Sequence, residues 1–412
     1  GGGTDMVITH FSADCSSVIG STYVGGTAED GVNSMWGNYG ETYRGEIFLD
    51  GANNILVASF TSSSNFPTTA GCLQAGLGGA QDAVVLAIQP NCSSLLYSTY
   101  LGGTANDSGL GLRIAANGDV FVTGGTESSN FPTTPGSVTP SYMGGTRDGY
   151  VVRLTSDLTS MIAGTFFGTD EEDTSYFLDI DLNEDVWIYG QTEGIIPISP
   201  VGTYGQANAG IFIAKFSGDL TSLPITTTIG PIGGGGWGTM APVAFLVDVC
   251  DNIYISGYNS PSDQPMTANS LYQTGSFYLA AFDVDMADLL FGTYYGGSHV
   301  DGGTSRFDKN GVIYQGVCSG MGSLQTTPWA WATNQTIGWD IGVFKIDFQV
   351  AGVNAAGAGT LNEGCAPIQI DFVNNSTGDG WIWDFGDGSL PDNAFEPSYT
   401  YTTPGAYTVT LI

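Results

Sequence analysis

The sequence predicts an all-β protein, a β-propeller of about five to seven four-stranded blades followed by a small β-sandwich. Three observations carry that prediction. A phrase alternating Tyr, Thr and small residues recurs and stops at glycine: STYVGG (Ser21 to Gly26), YSTYLGG (Tyr97 to Gly103), GTFFG (Gly164 to Gly168) and GTYYGG (Gly292 to Gly297). The 412 residues include 62 glycines and no long 3.6-residue periodicity, which suits many short strands joined by tight turns. From about Ala351 the recurrence fails and a different strand-and-turn pattern begins.

Aligning on the glycine phrase gives a unit of about 65 residues. After each phrase comes a polar stretch, then a turn and strand: NNILVASFT (Asn53 to Thr61), NGDVFVTGGT (Asn117 to Thr126), EDVWIYGQT (Glu184 to Thr192), DNIYISGYN (Asp251 to Asn259) and NGVIYQGV (Asn310 to Val317). Asn-Gly and Asp-Asn supply the turns, and large apolar residues alternate with small ones along each strand. A proline element follows, as NFPTT at Asn65 to Thr69 and NFPTTPG at Asn130 to Gly136, with weaker versions at Ile196 to Pro200 and Gln264 to Thr267. Proline fixes φ and removes a donor, which suits a connection leaving a sheet edge. The unit closes with an apolar strand: DAVVLAI (Asp82 to Ile88), DGYVVRL (Asp148 to Leu154), GIFIAKF (Gly210 to Phe216), SFYLAAF (Ser276 to Phe282) and DIGVFKI (Asp340 to Ile346). TDMVITHF (Thr4 to Phe11) is a sixth copy.

A sheet of three or four short strands cannot bury both faces alone, and packing successive sheets around an axis solves this. Residues 1–350 divided by the period give five to six blades, and a seventh requires chain upstream of Gly1. STYLGG, NGDVFVTGGT, NFPTTPG and DGYVVRL together resemble the seven-bladed β-propeller repeat of bacterial secreted proteins. The match is closest over Ser21–Ile88 and Tyr97–Leu154. It departs in the fourth unit, where TTTIGPIGGGG (Thr226 to Gly236) replaces STYLGG and puts that strand's pairing in question.

Residues 351–363 are small and glycine-rich and read as a linker. In residues 364–412, strand-like PIQIDFVNN, GWIWDFGDG and AYTVTLI alternate with Gly, Pro and Asp turns, the pattern of a small sandwich. WDFGDGS (Trp383 to Ser389) and the run from Pro397 to Leu411 resemble a PKD domain, an immunoglobulin-like module of cell-surface proteins. Tyr399 stands where that family often has His. The chain starts in mid-repeat and ends in mid-strand, so it reads as the ordered part of a longer protein with the PKD domain short of its last residues.

Charge narrows the partners. Forty acidic residues against 8 basic ones give a net charge of −32, which repels nucleic acid and acidic lipid headgroups. No run of about 20 apolar residues offers a membrane span. The six cysteines lack C-x-x-C spacing and only His10 and His299 are available, which argues against zinc. Six cysteines in an apparently secreted chain allow 15 disulfide pairings, and the sequence does not choose among them. His10 lies in a repeat strand and His299 in a loop after glycines. No histidine triad or carboxylate pair stands out from the repeat, so the expectation is no enzyme.

Two sets of residues are candidates for binding. An acidic residue follows the glycines at a fixed offset: Asp30, Asp107, Asp173 and Asp301. Such a carboxylate beside backbone carbonyls can hold calcium, or it can cap the turn through its own oxygens. Asp384 and Asp387 in the PKD turn pose the same choice. Trp329, Trp331 and Trp339 cluster in TTPWAWATNQTIGWD, which breaks the fifth unit's pattern. These rings suit a site for carbohydrate or protein, or they fill the gap between propeller and PKD domain.

The resemblance implies a large secreted protein of Bacteroidota-type bacteria, of the sort exported by type IX secretion and serving gliding, attachment or prey contact. The expected role is a non-enzymatic, extracellular adhesion or assembly segment of a surface protein or appendage. Its partners would be protein or carbohydrate at the cell surface, with homo-oligomers allowed and repeated copies adding avidity. The alternatives are an accessory binding region of a secreted polysaccharide-degrading enzyme and a subunit of a cell-surface machine.

Overall fold

The computed structural model describes residues 2–35, 41–231, 240–258, 263–296, 305–309, 311–319, 324–333, 338, 340–347, 357–361, 363–374, 376 and 381–412. It divides into two units, Gly1–Phe348 and Gln349–Ile412. No α-helix occurs among the described residues.

In the first unit, β1 (Met6–Phe11) and β2 (Val18–Val24) pair as a two-stranded sheet. Four antiparallel four-stranded sheets follow. Sheet I holds β3 (Glu46–Leu49), β4 (Ile55–Thr61), β5 (Asp82–Ile88) and β6 (Leu95–Leu101). Sheet II holds β7 (Asp107–Ile114), β8 (Val120–Thr126), β9 (Asp148–Leu154) and β10 (Met161–Phe167). Sheet III holds β11 (Asp173–Ile180), β12 (Val186–Thr192), β13 (Ile211–Phe216) and β14 (Ile225–Ile229). Sheet IV holds β15 (Ala241–Val247), β16 (Ile253–Tyr258), β17 (Phe277–Phe282) and β18 (Leu289–Tyr295). Sheet V has three strands among the described residues: β19 (Ser305–Phe307), β20 (Val312–Ser319) and β21 (Asp340–Asp347).

Each sheet is a simple meander, and its boundaries differ from those of the sequence unit. The glycine phrase forms the fourth strand of one sheet, and its glycines lead into the next. The stretch read as merely polar contains a first strand, β7, β11 or β15. DSGLGLRI (β7) hid it because glycine and serine dilute the alternation. The departure at Thr226 does not break the pairing, since β14 runs beside β13 from Ile211↔Ile229 to Lys215↔Ile225. Gly233–Gly236 lie outside the described residues.

The third strands of sheets I to IV have two buried faces. Along β5, Ala83, Val85 and Ala87 meet Leu112, Val122 and Tyr150 of sheet II, while Val84, Leu86 and Ile88 meet Ile8 and Val24 of the two-stranded sheet. The same division recurs at the II–III and III–IV junctions. The IV–V junction is aromatic, with Phe344 ring centroids 5.7 Å from Phe277 and 4.5 Å from Tyr295.

Charged side chains show that the sheets surround one axis. Arg113 of β7 contacts Glu46 of β3 (3.7 Å) and Asp179 of β11 (3.2 Å). Lys309, just after β19, reaches the same Asp179 (3.0 Å) and donates to the Val247 carbonyl of β15 (2.9 Å). Arg44, just before β3, lies over the Tyr176 and Phe177 rings of sheet III and donates to the Pro242 carbonyl of sheet IV at 2.7 Å. Stacked sheets sit about 10 Å apart, so a linear stack would hold sheets I and IV roughly 30 Å apart. A 2.7 Å bond between them requires the propeller arrangement.

The second unit is a small immunoglobulin-like sandwich. One sheet pairs β22 (Gly357–Gly359), β23 (Ile368–Asn374) and β25 (Ser398–Tyr401), and the other β24 (Trp383–Asp384) and β26 (Thr410–Leu411). Phe372, Trp383, Phe385 and Tyr401 form its core. β22 falls within residues 351–363, so part of the expected linker is a strand of the sandwich. Glycine and alanine have low strand preference, and pairing with β23 supplies the order their side chains do not.

Candidate functional site

The acidic residues that follow the glycines sit at equivalent places on separate sheet junctions and are not brought together. Asp107 opens β7 and is fully buried. Its Oδ2 accepts from the Gly103 amide (2.7 Å) and the Ser128 hydroxyl (2.9 Å), and its Oδ1 accepts from the Thr126 hydroxyl. Asp30 repeats this with the Gly26 amide (2.7 Å), Ser63 (3.0 Å) and Thr61. The glycine is sterically required, because a Cβ on Gly103 would come within 2.6 Å of the Ser128 Cβ.

The third copy reaches the same end by an exchange of parts. Thr169 stands in the glycine's place and Gly194 in the serine's. Asp173 Oδ2 accepts from both the Thr169 amide (2.5 Å) and its hydroxyl (2.8 Å). A Cβ on Gly194 would run into the Thr169 side chain, so hydroxyl and glycine have swapped positions together. That exchange marks the arrangement as a buried turn cap, which ties the glycine turn, the first strand and the end of the second strand. Asp301 lies outside the described residues.

A second carboxylate accompanies each cap, and the sequence reading missed it. Asp82 and Asp148 begin β5 and β9, within the quoted DAVVLAI and DGYVVRL, and both are fully buried. A Cβ on Gly102 would lie 2.7 Å from Asp107 Oδ2 and 2.8 Å from Asp82 Oδ1, so the missing side chain makes room for two facing carboxyls. The pairing varies between the described junctions. Asp5 faces Asp30 and Asp82 faces Asp107, whereas at the III–IV junction Gly210 and Met240 hold both places. The signal was present as an Asp before each apolar strand, but only a register between neighbouring sheets could pair it with the next unit.

Burial sets the protonation of these groups. It pushes Asp107 up to about 7, against the pull of the Thr126, Gly103 and Ser128 donors and with help from the Asp82 charge. It pushes Asp148 to about 7 and Asp173 to about 6, and raises Asp82 as well. Two buried carboxyls this close favour sharing one proton over carrying two charges. No cluster of three or more His, Cys, Asp or Glu suited to a metal occurs among the described residues.

Trp329 and Trp331 are 83% and 102% exposed, on the connection from β20 to β21. The turn is tied by the Ala330 amide donating to the Thr327 carbonyl at 3.0 Å. Sheets I to III make the same bond at Cys72–Thr69, Ser137–Thr134 and Thr203–Pro200. There the position of Trp329 is taken by Gly71, Gly136 and Gly202, all with positive φ, and in the matching turn of sheet IV, where the Ser270 amide donates to the Thr267 carbonyl, by Asn269. Trp339 lies outside the described residues, as does His299. His10 Nδ1 contacts the Pro90 carbonyl at 2.6 Å and ties β1 to the turn after β5.

Basic residues are used internally. Arg147 pairs with Glu172, Arg153 with Asp119 (2.7 Å), and Lys215 with Asp181 (2.7 Å) and Asp185 (3.2 Å). With Arg44, Arg113 and Lys309 at the axis, most of the 8 cations serve the fold and the remaining field is acidic.

In the sandwich, WDFGDGS forms a tight acidic turn. Gly386 has φ +74, and a Cβ there would strike the Thr408 carbonyl. Asp384 accepts from the Gly386 amide (2.9 Å) and Asp387 from the Ser389 amide (3.0 Å). Tyr399 donates to Asp387 Oδ2 at 2.7 Å while its ring stacks on Phe385.

Residues 352–412 match the PKD domain family. No curated protein matches the chain. Solved structures with similar arrangements include a protein of unknown function from Dyadobacter fermentans, at 9% identity and TM-score 0.41 over 80% of this chain and 84% of that one. BamB from Moraxella catarrhalis gives 12% identity and TM-score 0.34 over 88% of each chain. PorZ, a surface component of the type IX secretion system of Porphyromonas gingivalis, gives 12% identity and TM-score 0.32 over 90% of this chain and 44% of that one. The chain is thus an all-β, propeller-type repeat unit followed by a PKD domain.

Proposed function

We propose that the chain is a non-enzymatic, extracellular contact segment of a bacterial surface protein, which attaches to protein or carbohydrate. The observation that carries this reading is Trp329. Turns of the same kind place Gly71, Gly136, Gly202 and Asn269 at its position, so the fold does not call for an indole there, and the ring is left in water. An exposed Trp offers a flat apolar face for sugars or for an interface anchor. The PKD match supports a surface-associated role. Under this reading the buried aspartates serve as turn caps that share protons, and they need no calcium.

The test compares wild type with Trp329→Gly for binding to glycan arrays and to cell surfaces. Binding by wild type and a loss of about tenfold or more in the variant, with unchanged melting, is expected. Equal binding by both, or none by either, overturns it. Calcium titration by calorimetry is expected to give no heat. Saturable heat that Asp107→Asn abolishes would instead assign calcium to the caps.

A further inference from the structure

Two surfaces of the propeller unit expose residues whose counterparts in sheets I to III are buried or half-buried. The first is the outer face of β21. Ile341 and Val343 are 84% and 76% exposed. Their counterparts on β5, β9, β13 and β17 are covered by the following sheet or strand, with Val85, Val151, Ile213 and Leu279 all at 0% in the place of Val343. Trp331 belongs to the same surface. Its counterparts Leu73, Val138 and Tyr204 send their amides to the carbonyls of Leu158, Leu220 and Met286 on the next sheet.

The second surface is the opposite face of the two-stranded sheet. Val7 and Phe11 are 59% and 51% exposed, whereas Val84, Tyr150, Phe212 and Tyr278 hold the place of Val7 at 0%. Cys15 is exposed with φ 56, at the turn position where Leu158, Leu220 and Met286 are buried and accept the bond from the preceding sheet. The two surfaces are therefore complementary halves of one junction. One has the donor side that Leu73 and Val138 display, and the other has the acceptor side that Leu158 and Leu220 display.

The strands absent among the described residues define what would complete it. Sheet V shows first, second and third strands and no fourth. The two-stranded sheet shows a third and a fourth and lacks the first and second. In chain order, fourth–first–second is one continuous run of this repeat, as in β6, β7 and β8. We propose that these surfaces form one further sheet junction, completed by a single fourth–first–second segment of the same repeat. Its fourth strand would pair with β21 and its second with β1, with its first beside the second, giving six complete sheets around the axis. This proposal goes beyond the surface role, and Trp329 takes no part in it.

The test fuses a second copy of residues 93–143 ahead of Gly1, which leaves the glycines before Asp5 in register with Gly144 and Gly145 before Asp148. Melting and amide exchange are measured on the fused and unfused chains. Melting is expected to rise by about 5 °C or more, with amides of β1 and β21 slowed at least about tenfold. Introducing I341D with V343D should remove both gains in the fused chain while leaving the unfused chain's melting within about 1 °C. Unchanged exchange at β1 and β21 in the fused chain overturns the proposal. So does an unfused chain that self-associates and is made monomeric by the same pair, since a second copy would then be the occupant. Glycan or cell binding through Trp329 is read separately, so either proposal can fail alone.

Discussion

Asp107 in the propeller and Asp387 in the sandwich make the same kind of bond under opposite conditions. Each accepts a backbone amide and a hydroxyl across a glycine turn. Asp107 does so with no exposure, facing Asp82, and burial pushes it up to about 7. Asp387 does so in water, and its Tyr399 and Ser389 donors hold it below the usual carboxylate range. A hydrogen-bonded aspartate therefore says little by itself; the surrounding dielectric decides whether the carboxylate or the acid is favoured. The same difference decides what losing the group costs.

The largest effect expected is from Asp107→Ala. It strands the Gly103 amide and the Thr126 and Ser128 hydroxyls without water, at about 1–3 kcal/mol for each buried group. A total near 3 kcal/mol is expected after partial relaxation, read by denaturant unfolding. Asp387→Ala leaves its donors to solvent and should barely move the transition. Equal losses at the two sites would break the comparison. Gly102→Ala comes next, since its Cβ would sit 2.7 Å from Asp107 Oδ2 with Asp82 on the other side. About 2 kcal/mol is expected, typical of an overpacked interior. Gly388→Ala meets no atom within 4 Å and should cost only its positive-φ strain, about 1 kcal/mol.

Acid should act on the two turns in opposite directions. Asp107, Asp148 and Asp173 titrate at about 7, 7 and 6 in the fold but near 3.9 when unfolded. Between those limits the native state binds more protons, so this contribution is complete below about pH 4 and is lost as pH rises through 6 and 7. Asp387 has the reverse sign: its contribution is present above the unfolded value and disappears as pH falls. Exchange measured across pH 5 to 8 on the whole chain should show β7 weakening relative to the β24 turn as pH rises. Asp107→Asn should flatten that trend. A slope at β7 that is unchanged in the variant would remove the proton-sharing account.

How much of this was legible follows from the range of each signal. Strands with period-two alternation, such as VFVTGGT and VVLAI, showed themselves, and so did the WDFGDGS turn. β7 did not, because Gly109 and Gly111 are small for a tertiary reason. A Cβ on Gly109 would lie 3.0 Å from the Ser59 carbonyl of sheet I, and one on Gly111 3.1 Å from the Tyr176 carbonyl of sheet III. The capping aspartates were legible as a fixed offset, but their facing partners lie 25 residues away and depend on sheet register. Trp331 was legible as a departure from the repeat, and the structure leaves it fully exposed.

The smallest effect tests the exchange of parts between caps. At Asp30 and Asp107 a glycine amide and a distant serine hydroxyl serve the carboxylate, whereas at Asp173 one threonine supplies both donors opposite Gly194. Thr169→Gly removes a hydroxyl and opens a gap, at about 1 kcal/mol or more. Gly194→Ser drives a side chain into Thr169 and should cost about 1–3 kcal/mol. The double variant rebuilds the arrangement of the earlier caps, with the introduced serine returning the donor that Thr169 supplied. It should recover to within about 0.5 kcal/mol of wild type, a coupling only neighbours sharing one site can show. Additive losses would mean that the hydroxyls around Asp173 are incidental, and that the glycine turns alone set the geometry of each junction.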